Sequence, residues 1–158
     1  SVVIFLTDQL TKHLATGLKG HPGIPIPGTD FFRLTLTYVE NAGIAWGLFA
    51  DAGHGGRMIL SMISLLAAAG IALYALRTPM NEKMTHVGLA FVLGGVLGNL
   101  TDRIFRGTVI DFLDFTVANY KWPTFNIADA VISIGALILI ADALRPSPET
   151  SREQRAEE

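Results

Sequence analysis

Asp129 stands inside an otherwise apolar stretch, Trp122 to Ala141, "WPTFNIADAVISIGALILIA". A carboxylate in such surroundings is costly and by default marks function. It has company at helical spacings. Asn126 lies three residues before it, and Asn99, Asp102 and Arg103 share one turn at the end of another apolar stretch. Asp8 and Lys12 are four apart, acid first, the order that favours an ion pair along a helix. Asp111 and Asp114 fall in "VIDFLDF", just before the Asp129 segment. Two carboxylates held close in a poorly hydrated pocket resist double ionisation and share one proton. One is then a base able to activate water, and the other an acid able to protonate a leaving amine. Asp111 is the best partner for Asp129, because its loop returns the chain directly to that segment. Pro123 suits an entry turn, which puts Asp129 near a helix N-terminus whose dipole favours the anion while desolvation opposes it.

Other chemistries find little support. The chain has no cysteine, so disulfides, thiolate zinc sites and a cysteine nucleophile are excluded. It has neither G-x-S-x-G nor H-E-x-x-H, and Ser61, Ser64 and Ser133 lie in apolar segments without a His or Lys partner. His13, His21 and His54 sit in polar loop surroundings and receive no role. A net charge of -2 gives no reason to expect a nucleic-acid partner. Blander readings stand beside the functional ones. Asp8–Lys12 serves equally as an ion pair ending a helix at the interface, Asp102–Arg103 as a structural pair with Arg103 bound to a carboxylate elsewhere, and Asp114 as a solvated loop residue. Gly94, Gly95 and Gly98 read as helix packing.

The elements that must position these residues are membrane helices. Half of the 158 residues are hydrophobic and only 16% are charged, against about a quarter charged in soluble domains. A span needs about 20 mostly apolar residues. Met58–Leu76 has no charge, Met84–Thr101 carries only His86 as a titratable group, and Trp122–Ala141 is a third. "SVVIFLT" before Asp8 reads as the end of a first span whose start is missing, rather than as a cleaved signal peptide. Between the first two spans, "HPGIPIPGTD" is turn-rich and "FFRLTLTYVE" alternates like a strand, continuing after a glycine break into "IAWGLFA". The expected fold is all-α and membrane-integral: four transmembrane helices, a small β-sheet outside, and a loop or helix between helices 3 and 4. Residues 1–144 form one domain, and 145–158 a disordered tail.

With four spans, both long loops share one side of the membrane. Counting basic residues leaves the orientation open, with five on the tail side and seven on the loop side. Function has competitors too. A proton-relaying transporter would mark a path with acids instead of clustering them at one face. A metal-dependent hydrolase would ligate through Asp8, Asp102, Asp111 and Asp129. A non-catalytic subunit would tolerate replacement of these residues.

Five ordered stretches resemble the bacterial lipoprotein signal peptidases (type II signal peptidases): "DQLTK" (8–12), "NAGIAWGLF" (41–49), "GGVLGNLTDR" (94–103), "VIDFLDF" (109–115) and "FNIAD" (125–129). The resemblance implies a metal-free, cofactor-free aspartyl endopeptidase of the bacterial inner membrane, multi-pass, with its site at the extracytoplasmic face. It implies diacylglyceryl prolipoproteins as substrates, cut just before the lipidated cysteine, membrane lipid as a partner, and cyclic peptide inhibitors such as globomycin. A monomer is expected. The family's catalytic pair maps onto Asp111 and Asp129. Its supporting residues map onto Asp8, Asn41, Asn99, Arg103 and Asn126, with Lys12, Gly43 and Asp102 inside the matched motifs. The strand region 31–49 would form a sheet over the substrate, Asn41 would meet the substrate backbone, and Trp46 would anchor the sheet at the headgroups.

Overall fold

The computed structural model describes residues 1–29, 31–43 and 53–145. Four helices carry a small sheet at one end. Helix α1 is Val2–Ala15, α2 Gly53–Arg77, α3 Lys83–Phe105 and α4 Ile127–Ala143. The strands β1 (Ile24–Ile26), β2 (Phe32–Asn41), β3 (Val109–Val117) and β4 (Tyr120–Lys121) form one antiparallel sheet in sequence order.

The helices are inside out relative to a soluble bundle. The buried residues of α1 are Asp8, Lys12 and Ala15, spaced four and three apart, whereas Leu6, Leu10 and Leu14 are exposed. A helix that hides its ion pair and shows its leucines has lipid as its outer solvent. Helix α2 repeats the pattern, with only 11% of its most apolar stretch buried. Among the described residues, α2 and α3 are each long and apolar enough to cross a membrane by length and composition alone. Helix α3 packs most closely on α4 through its glycines. A Cβ at Gly95 would fall 2.5 Å from the Ala128 carbonyl oxygen, and one at Gly135 would fall 2.8 Å from the Gly88 carbonyl oxygen. Small residues here let two backbones approach, which is how helices associate where no hydrophobic force separates lipid from side chain.

Two expectations need correction. The segment between α3 and α4 is neither loop nor helix but β3, a full partner of β2 from Phe32↔Val117 to Asn41↔Val109. Its β-branched and aromatic residues suit a pleated, half-buried surface. The last helix starts at Ile127, not Trp122. The residues before it spend their backbone groups on β3: Trp122 N–H donates to Phe115 (2.8 Å), Phe125 N–H to Leu113 (3.1 Å), and Leu113 N–H back to Phe125 (2.9 Å). Helix α4 is therefore 17 residues, about 25 Å long.

The sheet aims two side chains. Between Leu36↔Leu113 and Val39↔Asp111 the register of β2 slips by one residue, a bulge that re-aims the residues beyond it. Asn41 thus pairs with Val109, two residues along β3 from Asp111 and on the same face of the sheet, within reach of it. The core beneath is small: Ala15, Ile110 and Phe112, with Leu36, Tyr38, Leu113 and Ile127 against them. The expected strand over 44–50 and the Trp46 anchor lie outside the described residues, as do the tail from 146 and the side chain of His54.

Candidate active site

The first turn of α4 is built from its own sequence. Asn126 is extended and caps the helix, its Oδ1 accepting the Asp129 N–H (3.0 Å) while Asp129 Oδ2 accepts the Asn126 N–H (3.2 Å). This is a capping box with Asp in the place usually held by Glu or Gln. Asp8, from α1, accepts the Ala128 N–H at 2.9 Å. A carboxylate on another helix thus satisfies a first-turn donor of α4 and meets the positive end of its dipole. The reciprocal bonds tie down Asp129 Oδ2 and leave Oδ1 facing Asn99 Nδ2, which donates to it at 2.8 Å.

Asp111 reaches the same place from β3 and is 2% exposed. Its two oxygens each accept from an amide, Oδ2 from Asn41 (2.9 Å) and Oδ1 from Asn126 (2.7 Å). Burial pushes the Asp111 carboxyl up to about 6; the two amide bonds oppose the rise and the nearby Asp129 charge adds to it. Asn126 therefore bridges the two acids. Its side chain donates to Asp111 and its backbone N–H to Asp129.

Behind this pair lies a fully buried cluster. Lys12 Nζ meets Asp8 Oδ2 (2.9 Å), Asp102 Oδ2 (2.8 Å) and Asn99 Oδ1 (2.8 Å). Three protons have three acceptors, the condition under which a buried charge is tolerated. Arg106 pairs with the second oxygen of Asp102, and Gln9 links Asp8, Asp102 and the Gly98 carbonyl while accepting from Arg106.

The residues singled out in the sequence divide into two groups. Asn41, Gly43, Asn99, Arg103, Asp111 and Asp129 line an open cleft of about 670 Å³. Asp8, Lys12, Asp102 and Asn126 stand behind it, fully buried. Asp8–Lys12 is therefore no interfacial pair. Among the described residues Arg103 forms no ion pair; its guanidinium reaches the Gly43 carbonyl at 3.5 Å. Asp114 is not simply solvated, since it pairs with Lys121 at 2.7 Å on the sheet. Gln9 and Arg106 were missed. Arg106 is four residues from Asp102, a visible spacing; nothing local signals Gln9.

The buried acid gives folding a pH dependence. Asp111 titrates at 3.8 when unfolded and at about 6 when folded, so the folded chain binds its proton more tightly. That contribution is complete below pH 4 and is lost as pH rises through about 6. The loss is on the order of 3 kcal/mol. Thermal unfolding in detergent between pH 4 and 7 is expected to show this decline in the natural protein and lack it in Asp111→Asn. Parallel curves for the two would remove the burial argument.

Similarity to known proteins decides the family. A family model described as signal peptidase (SPase) II matches residues 1–145. The chain belongs to the signal peptidase II family. A lipoprotein signal peptidase of Francisella tularensis subsp. novicida is 44% identical over 146 residues, covering 91% of this chain and 88% of the relative. One from Alteromonas mediterranea is 39% identical over 158 residues, covering 99% and 85%. Two solved structures described as bacterial membrane enzymes superpose with TM-scores of 0.76 and 0.75 at 27% and 26% identity. They cover 90% and 92% of this chain, and 84% and 90% of the solved chains. Signal peptidase II membership makes this a membrane peptidase of lipoprotein processing. Peptide hydrolysis needs a group to take a proton from water and another to give one to the amine. The cleft presents two carboxyls with unequal surroundings.

Proposed function

We propose that the protein is an aspartyl endopeptidase that cuts diacylglyceryl prolipoproteins just before the lipidated cysteine, with Asp111 and Asp129 as the catalytic pair. The observation that carries this reading is that the two acids wall one cleft and are joined through Asn126. One carboxylate takes a proton from water as its oxygen attacks the scissile carbonyl carbon. The other, protonated, gives its proton to the nitrogen as the C–N bond breaks, leaving a carboxylate terminus and the amine of the cysteine. Asn41, Asn99 and Asn126 hold the carboxyls in place. Arg103 braces the Gly43 backbone in the cleft wall with a planar fork that lysine lacks.

The membrane placement follows the same reading. All four helices cross the inner membrane in one domain, residues 1–144, and the sheet end faces the extracytoplasmic side. A single copy furnishes every cleft residue named here, as suits a monomer, and cyclic peptides such as globomycin would compete for the cleft. The exposed leucines and methionines of α1 and α2 keep the bilayer against the helices, so the substrate's acyl chains stay in lipid while the peptide enters the cleft. Extracting them would cost about 0.8 kcal/mol per CH₂.

A four-aspartate metal site fits less well. Asp8 and Asp102 are already committed to the Lys12 ammonium and so do not converge with Asp111 and Asp129. The deciding experiment incubates the purified protein with a synthetic diacylglyceryl prolipoprotein peptide, with and without EDTA, and weighs the products. Cleavage before the lipidated cysteine, indifferent to EDTA, is expected. Activity lost to EDTA and restored by Mg²⁺ would overturn the aspartyl reading.

A further inference from the structure

We infer that Lys12 is a positioning residue for the Asp111/Asp129 pair: its ammonium fixes which way the Asn99 amide faces, and so presents an N–H rather than a carbonyl oxygen to Asp129. The inference rests on the catalytic reading proposed above and concerns which member of the pair is the base.

The two ends of an asparagine amide are nearly the same size, and hydrogen-bond partners alone decide its orientation. At Asn99 the partners leave no choice. Oδ1 receives Lys12 Nζ at 2.8 Å and Asn126 Nδ2 at 3.2 Å. An ammonium has donors only, so an NH₂ group cannot take that place. Lys12 cannot turn away either, because its remaining protons are held by Asp8 and Asp102. Nδ2 must then point at Asp129, 2.8 Å away.

Two things reach the cleft from Lys12: its charge, which lowers the Asp111 carboxyl whichever way Asn99 faces, and the orientation of Asn99, which acts on Asp129. Behind Asn99 the positive charges of Lys12 and Arg106 are matched by Asp8 and Asp102. Among the described residues, the charged groups facing the pair are otherwise common to both amide orientations: Arg103 on α3, and on β2 Glu40, itself paired with Lys19 at 2.7 Å. Asn41 and Asn126 serve Asp111 in either case. If the Asn99 amide were reversed, two oxygens would meet across a hydrogen-bond distance. That arrangement is stable only with a proton between them, and the proton of the pair would move from Asp111 to Asp129. With Lys12 in place Asp129 is the base and Asp111 keeps the proton that the leaving amine receives.

Removing the ammonium alone would strand two buried carboxylates, so the test removes Asp8 with it, leaving Asp102 paired with Arg106, and takes Asp8→Asn as the control for the lost cap on α4. Turnover of the lipidated peptide is measured across pH for Asp8→Asn and for Asp8→Asn/Lys12→Met, alongside thermal unfolding in detergent. Relative to Asp8→Asn, the double variant is expected to lose kcat roughly 10- to 100-fold at unchanged KM. The acid limb of its kcat profile should also move to higher pH. A purely structural Lys12 would lower thermal stability and leave the limb in place; a folded double variant with that result overturns the inference. If the double variant does not fold, Asn99→Asp decides. It keeps Lys12 and its ion pairs but sets an acceptor against Asp129, so the same limb shift is expected, and an unmoved limb overturns the inference. Retained turnover in Asp111→Asn or Asp129→Asn would instead sink the catalytic pair itself, whatever Lys12 does.

Discussion

Asp129→Asn and Asp111→Asn are each expected to insert, fold and lose turnover by a factor on the order of 10⁴. Neither amide can hold or release the proton that water and the leaving amine exchange, yet each keeps the shape of the carboxyl it replaces. In the Asp129→Asn variant the new side-chain oxygen can still accept the Asn126 N–H, so the start of α4 survives. Under the proposed mechanism the two acids act as one unit, so the double variant should be little slower than either single one. The comparison is product formed per folded molecule, with the folded fraction taken from thermal unfolding. Near-normal turnover in either single variant would mean that the cleft works by another chemistry.

A precursor without its diacylglyceryl group should be cut with kcat/KM lower by at least about 10³-fold. Its peptide must find the cleft from water, whereas a lipidated one is already confined to the bilayer in which α2 and α3 sit. Two acyl chains hold the substrate far more strongly than one, and even a single myristoyl chain gives a partition constant of about 10⁴ M⁻¹. The partition also orients the scissile bond at the height of the sheet, so part of the loss should appear in kcat and not only in KM. Matched peptides with and without the lipid, assayed in the same vesicles, provide the measurement. Equal rates would show that the cleft reads peptide alone and that its place beside lipid is incidental.

Much of this was legible along the chain because it is local. Which residues share a helix face depends only on their spacing, so the Asp8–Lys12 pair, the Asn99–Arg103 turn and the Asn126–Asp129 box are visible in one dimension. The uncharged run of α2 is visible in the same way, and so are the apolar surroundings of Asp129 that make its carboxyl worth explaining.

The tertiary structure decided which faces meet. Nothing in the spacing says that Lys12 lies against Asp102 and Asn99, or that Asp8 caps the helix bearing Asp129; about 90 and 120 residues separate those partners. Their meeting follows from the close approach of α3 to α4 at Gly95 and to α1 at Gly98, whose added Cβ would strike the Asp8 carboxyl. The strand character of 109–117 was likewise hidden, because a strand is stabilised by its partner and β2 lies some 70 residues away in sequence. The extra residue in β2 that brings Asn41 to Asp111 leaves no local mark. Spacing specifies the chemistry each segment can offer, and packing and strand pairing, which join distant segments, determine which offers are combined.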